Sequence, residues 1–190
     1  SEGTMHLNNL GFLNPEGHFC SFDADAGGYG RGEGCGVLVI KRLDKAVRDG
    51  DNIRAVICAS GVNSDGWTQG VTFPSMEAQA SLIRRVYKSN NLDYDSTQYV
   101  EAYGTGIKAG DPIEARAIYS TIGQSMSRKR LYVGSVKLNI GHLEAAAGVA
   151  SIIKGVLALE RGLIPPNINF SKPNPAIPLD DWNMSVPTKL

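Results

Sequence analysis

The sequence predicts an α/β fold built around a parallel, covered sheet. Three observations predict it. Two strand–loop–helix units follow one another between residues 99 and 161, a helix start signal lies at Asp111-Pro112-Ile113-Glu114, and a long helix stops at Gly162 ahead of Pro165-Pro166. Strands alternating with helices imply parallel pairing, and sites in such sheets lie beyond the carboxyl ends of the strands. With 190 residues the chain is long enough for one sizeable core, and its length argues for one domain rather than two.

In chain order, residues 1–36 are rich in Gly, Asn and Asp and read as a long irregular surface. Within them, Asp25 to Gly34 carries glycine at nearly every second position, which permits positive φ and close backbone approach. Val37–Lys41 is a short apolar run expected to form a buried strand, and Leu43–Asp49 a brief helix. Ile53–Ser60 is rich in β-branched residues and reads as a second strand. Asn63 to Gly66 is a turn. Ser75–Asn90 has helical periodicity, with a stripe at Ala78, Leu82, Ile83 and Val86.

The first strand–loop–helix unit has Tyr99–Ala102 as strand and Tyr103–Gly110 as loop. Its helix opens with Asp111 as N-cap, Pro112 at the first helical position and Glu114 three residues after the cap. The second has Leu131–Val136 as strand, Lys137–His142 as loop and Glu144–Arg161 as a long helix. Ala145–Ala147 favour that helix, Gly148 within it suggests close packing on a neighbour, and Gly162 ends it.

Composition excludes several functions. Lys+Arg 19 balance Asp+Glu 19, so the net charge gives no footprint for nucleic acid or an anionic membrane. The short basic cluster Arg128-Lys129-Arg130 reads as a solvated loop. No apolar run approaches the roughly 20 residues that span a bilayer. Cys20, Cys35 and Cys58 lack metal-type spacing and read as free thiols in a reducing, cytoplasmic compartment. The chain opens at Ser1 without an initiator Met, which fits excision from a longer polypeptide.

Chemistry concentrates on two loops. His6 and His18 read as structural, whereas His142 sits at the amino end of a long helix, where the dipole disfavours imidazolium. A neutral imidazole there donates an N–H to a developing oxyanion or merely caps the helix; position alone leaves both roles open. Lys137, at a strand end, pairs with a carboxylate such as Glu114 or is an ordinary surface lysine. The loop Gly104 to Gly110 looks like a loose dinucleotide fingerprint. Its spacing is one residue off, and residues 115–143 contain no Asp or Glu to hold a ribose.

Three segments carry a resemblance. Val100-Glu-Ala-Tyr-Gly-Thr-Gly-Ile-Lys-Ala-Gly-Asp-Pro-Ile-Glu-Ala115 resembles V-E-A-H-G-T-G-T-x-x-G-D-P-I-E-A of the β-ketoacyl synthase (ketosynthase) family. Gly134-Ser-Val-Lys-Leu-Asn-Ile-Gly-His-Leu-Glu-Ala-Ala-Ala-Gly148 resembles its G-S-V-K-x-N-I-G-H-x-E-A-A-A-G. Residues Ser21 to Gly34 match a third family segment, all in family order. Further phrases, such as Asn63-Ser-Asp-Gly-Trp-Thr-Gln-Gly70, are similar to fungal-type iterative, highly reducing polyketide synthases.

The resemblance implies an incomplete thiolase-like α/β fold. Residues 1–60 would be the end of the N-terminal half, and residues 61–190 the C-terminal half, truncated before its last strands. A sheet missing strands at both ends is not expected to fold independently. Decarboxylative Claisen condensation is the implied reaction: an acyl thioester is extended with malonyl held on the phosphopantetheine arm of an acyl carrier protein. No directly bound cofactor and no metal are implied, and the partners would be carrier protein, sister domains and a second copy in a homodimer. Carried over by motif, His142, Lys137 and Glu114 are catalytic, and Thr105 and Ile107 lie in the pantetheine loop, Thr105 with loop support as its other reading.

The sequence departs from the family pattern in four ways. The nucleophile's D-T-A-C-S-S segment is absent, and Cys20 and Cys35 lack its context. Tyr103 stands at the position of the first catalytic histidine. Losing one aligned oxyanion donor costs roughly 10²–10³ in rate, so a parent domain with Tyr103 is expected to condense poorly or not at all. Ile107 replaces a threonine, and Leu138 stands where Pro or Ser is common. Each of these three changes corresponds to a single C-to-T step, as in cytosine-deamination-type decay of a gene. Two readings follow: a working condensing domain, or a degenerate ketosynthase-like module that binds carrier protein or a partner without condensing.

Overall fold

A computed structural model describes residues 2–70, 72–125 and 130–190. Arg128 and Lys129 of the basic cluster lie outside these. The centre is a three-stranded sheet in the order β1 (Tyr99–Glu101), β2 (Leu131–Gly134), β3 (Met184–Ser185), and both pairings are parallel. Against it pack helices α3 (Met76–Ser89) and α4 (Gly110–Ile118), the latter running into a π-turn over Tyr119–Gly123. The core gathers Phe22, Ile118, Ile122, Leu131, Val133, Ile177 and Met184 between these layers. Short helix α5 (Lys137–Ile140) follows β2, and α6 (Ala147–Arg161) follows a single 3-10 turn at Glu144–Ala146.

Several elements form where local chemistry requires them. Ser75 caps α3 by accepting the Ala78 N–H at 3.1 Å. Helix α2 (Leu43–Asp49) ends on Gly50 and α6 on Gly162, both in the left-handed region. The stripe on α3 divides: Ile83 packs on the core, while Leu82 and Val86 face Gly61. Among the described residues, no helix is long and apolar enough to cross a membrane.

Five expectations are corrected. Residues 1–36 are largely irregular, as expected, but they are not all surface. They open with helix α1 (Glu2–Asn9), closed when Gly11 and Phe12 donate to the Asn8 and Leu7 carbonyls. They then turn inward, burying Phe19, Ser21, Phe22, Asp23 and Tyr29. The Asp23 carboxylate accepts the backbone N–H groups of Asp25, Ser171 and Lys172, which satisfies loops that composition alone presents as solvated.

Residues 37–41 and 53–60 form no strand and belong to no ladder among the described residues, and Val39 is 98% exposed. An apolar β-branched run makes a strand only when a partner strand receives its backbone groups, and among the described residues neither run has one. Asp111 does not cap α4, which starts earlier at Gly110. Its carboxylate reaches across to the N–H groups of Phe22 and Gly106, at 2.8 and 3.1 Å. The long helix begins at Ala147 rather than Glu144, because Glu144 takes a positive φ of 52°. A Cβ on Gly148 would meet nothing within 4 Å, so helix packing does not require glycine there.

The alternating glycines do mark close approach. A Cβ at Gly32 would lie 2.2 Å from the Ile140 carbonyl oxygen, and Gly141 opposite has φ 80°. Here the two segments exchange Gly32 N–H to the His142 carbonyl and His142 N–H to the Gly30 carbonyl, each at 3.0 Å. Gly32→Ala is therefore expected to push backbone against backbone and cost about 1–3 kcal/mol, read as a lowered melting temperature.

Candidate active site

The site lies beyond the carboxyl ends of β1 and β2. Loop 103–106 after β1 is held from below by two carboxylates of α4. Glu114 accepts the N–H groups of Tyr103 and Gly104, at 2.6 and 2.9 Å. Asp111 accepts Gly106, and burial pushes its carboxyl up to about 7 against the backbone donors that pull it down. Ser21 and Ser135 hydroxyls donate to the carbonyls of Gly104 and Tyr103. Gly104 adopts φ 43° and sits against Ser135, whose Cβ would be 2.8 Å from an added methyl.

That loop presents Tyr103, which is 59% exposed, to two buried groups. The Lys137 ammonium lies 4.7 Å from the centroid of the Tyr103 ring, a cation–π contact. The Tyr103 hydroxyl is 3.1 Å from His142 Nε2, with the rings edge to face. His142 is 5% exposed and its ring lies against Tyr29, centroids 5.0 Å apart. Its Nδ1 accepts the Glu144 N–H at 2.9 Å, so a neutral ring carries its proton on Nε2 and donates it to the phenol oxygen.

Burial leads in lowering the His142 pKa, assisted by Lys137 and Arg31 and opposed by Glu144. Burial thus favours the neutral imidazole; the expected helix terminus is not the cause, because the long helix starts only at Ala147. The ring's Nδ1 also accepts the first N–H of the Glu144–Ala146 turn, but it does not cap the long helix, which starts five residues further on.

Lys137 is 3% exposed, and burial lowers its pKa most; Glu101 and then Glu114 pull it back up, and Lys154 lowers it. The direct pair with Glu114 is not made among the described residues, because the Glu114 carboxylate is occupied by the two loop N–H groups. Burial raises the pKa of Glu114 as well, opposed by those N–H groups and Lys137.

Thr105 is buried, and its N–H is directed at Asp111. Ile107 packs against a small apolar cluster of Phe19, Tyr29 and Leu138, so two of the unusual residues belong to one apolar cluster. Among the three cysteines, Cys20 has its thiol pushed up by burial and then by Asp23, while Cys35 and Cys58 are exposed and none is paired. Among the described residues, no group of three His, Cys, Asp or Glu could hold a metal ion.

The structure thus brings Tyr103, Lys137 and His142 together over Glu114. Tyr29, Glu101 and Lys154 are neighbours the sequence did not single out. Lys154 carried a usable signal: it is the lone charge within the otherwise uncharged stretch Ala147–Leu159 of α6.

Similarity to known proteins is extensive. The family described as "Beta-ketoacyl synthase, C-terminal domain" matches residues 54–171, and "Beta-ketoacyl synthase, N-terminal domain" matches residues 1–46. The chain is 76% identical over all 190 residues to the highly reducing polyketide synthase ZEA2 of Gibberella zeae. It is 74% identical to the reducing polyketide synthase hmp8 of Hypomyces subiculosus. It spans 8% of the length of each of these curated relatives. The ketosynthase from module 6 of the bacillaene synthase of Bacillus subtilis superposes with a TM-score of 0.96 at 40% identity, over 99% of this chain and 34% of that one.

Proposed function

Because the chain belongs to the β-ketoacyl synthase family and carries part of its thiolase-like α/β fold, we propose that it supplies the distal part of a condensing site in a fungal-type, highly reducing polyketide synthase. The reaction is decarboxylative Claisen condensation. Malonyl on the phosphopantetheine arm of a carrier protein loses CO2, and the C–C bonding pair becomes an enolate. The enolate carbon attacks an acyl thioester on a cysteine outside these 190 residues. A C–C bond forms, the C–S bond breaks, and the thiolate leaves.

The observation that carries this reading is the tautomer of His142. With Nδ1 filled by the Glu144 N–H, the ring offers a proton only at Nε2, the state needed to meet enolate charge. That proton is directed to the Tyr103 oxygen, which leaves the phenol's own O–H free to donate onward. Lys137 supplies positive charge beside the pair, and Glu114 fixes the loop. Thr105 and Ile107 belong to the loop that would meet the pantetheine arm.

Residues 1–60 are read as the end of the N-terminal half and 61–190 as the C-terminal half, in a homodimeric, cytoplasmic synthase. A module that only binds carrier protein is the weaker reading, because binding alone has no use for a buried Lys137 and a tautomer-locked His142. Full-length protein given acyl and malonyl carrier thioesters is expected to release one CO2 per β-ketoacyl thioester formed. Carrier binding without CO2 release would contradict the proposal.

A further inference from the structure

Beside Lys137 lies a second charge cluster, also largely enclosed. Glu101 ends β1 and Lys154 lies midway along α6; their side chains are 11% and 9% exposed. The Lys154 ammonium donates to Glu101 Oε2 at 2.8 Å and to the Tyr99 hydroxyl at 2.8 Å. Tyr99 gives its own proton to the same Oε2. The other oxygen, Oε1, accepts the Val136 N–H at 2.6 Å, and Val136 is the residue before Lys137 and the N-cap of α5. Gly134, paired with Glu101 in the β1–β2 register, leaves the necessary room: a Cβ there would lie 2.8 Å from the Tyr99 hydroxyl.

A buried ion pair adds little net stability over a well-packed apolar pair, because both charges lose their hydration. Stability alone therefore gives no reason for charges at Glu101 and Lys154, where Leu131 and Val133 on the neighbouring strand are apolar. Every polar atom of this cluster is engaged, and the engagement ends on the backbone that presents Lys137.

We propose, resting on the condensing role above, that Glu101 and Lys154 are positioning residues: the carboxylate fastens the turn that presents Lys137, and the pair sets the charge balance around its ammonium. The groups facing Lys137 are Glu101 from β1, Glu114 from α4, Lys154 from α6, and the Tyr103 ring and His142 from the loops. Glu101 favours the ammonium more than Glu114 does, and Lys154 opposes it. Burial and Glu101 keep the Tyr99 phenol protonated, so it remains a donor to the carboxylate.

The charges make opposite predictions for two single variants. Glu101→Gln removes an anion and leaves the Lys154 cation unpaired, so the Lys137 pKa falls. Lys154→Met removes a cation and releases the Glu101 charge, so it rises. The reading is the rate of trace acetylation of Lys137 by acetic anhydride, followed by peptide mass spectrometry in the full-length protein at a fixed pH below the midpoint.

Labelling is expected to rise about three- to tenfold in E101Q, fall by a similar factor in K154M, and return towards wild type in the double variant. Lys154→Arg, which keeps the charge, is expected to label like wild type. Equal-sign changes in both single variants, as general loosening would give, or no change in either, would overturn the proposal. The labelling needs no turnover. A wild-type protein that releases no CO2 would therefore sink the condensing role, while the labelling still decides the charge balance.

Discussion

Tyr103→His is expected to raise the rate of condensation by about 10²-fold in the full-length protein. The structure gives the reason. The His142 Nε2 proton is spent on the Tyr103 oxygen 3.1 Å away, so two potential donors are joined in series and one proton faces the substrate. A histidine in place of Tyr103 has a shorter ring, frees the Nε2 proton of His142 and adds an N–H of its own. What is lost is the contact of the buried Lys137 ammonium with the half-exposed phenol ring, worth about 1–2 kcal/mol. The gain from a second aligned donor, roughly 3 kcal/mol, is the larger effect. Tyr103→Phe separates donor from obstruction. If the phenol O–H is the working donor, Y103F condenses more slowly than wild type. If the phenol merely blocks His142, Y103F condenses faster.

The second large effect is expected at His142. His142→Ala should lower CO2 release from malonyl carrier protein by about 10²–10³, with KM for the carrier little changed, because the lost interaction develops only as charge forms. The same substitution removes the acceptor of the Glu144 N–H, a hydrogen bond of about 1 kcal/mol. A melting curve separates the two consequences. A drop in rate that tracks unfolding, or a rise in KM at constant kcat, would remove His142 from the chemistry.

What the sequence revealed follows the range over which each feature is determined. Ser75 at the start of α3 and Gly162 at the end of α6 act on their own neighbours, and both boundaries are where local chemistry places them. The parallel pairing of β1 with β2 was legible because two strand–loop–helix units in succession admit little else. The segments after those strands hold Tyr103, Lys137 and His142, so the candidate site was legible through topology and motif together, although Lys137 opens the short helix α5 where a loop was expected.

Features set by distant residues were not legible. The two-residue strand β3 has no periodicity to detect and exists because Leu131 and Tyr132 lie beside it. Residues 37–41 and 53–60 have strand composition, yet pairing is a property of a partner and not of the run itself. Asp111 looked like a cap because its neighbours form a start signal. Its carboxylate instead holds Gly106 of the preceding loop and Phe22, which the N-terminal segment brings in from 89 residues away. The contact of Tyr29 with His142 and the pair of Glu101 with Lys154 likewise join segments far apart in the chain.

The measurement that bears most directly on the central claim is a single-turnover condensation assay with full-length protein, an acyl-loaded enzyme and malonyl carrier protein, comparing wild type with Y103H. The account predicts slow but complete formation of β-ketoacyl thioester by wild type, and formation about 10²-fold faster by Y103H. No β-ketoacyl thioester from either protein, with both folded and carrier protein bound, would contradict it.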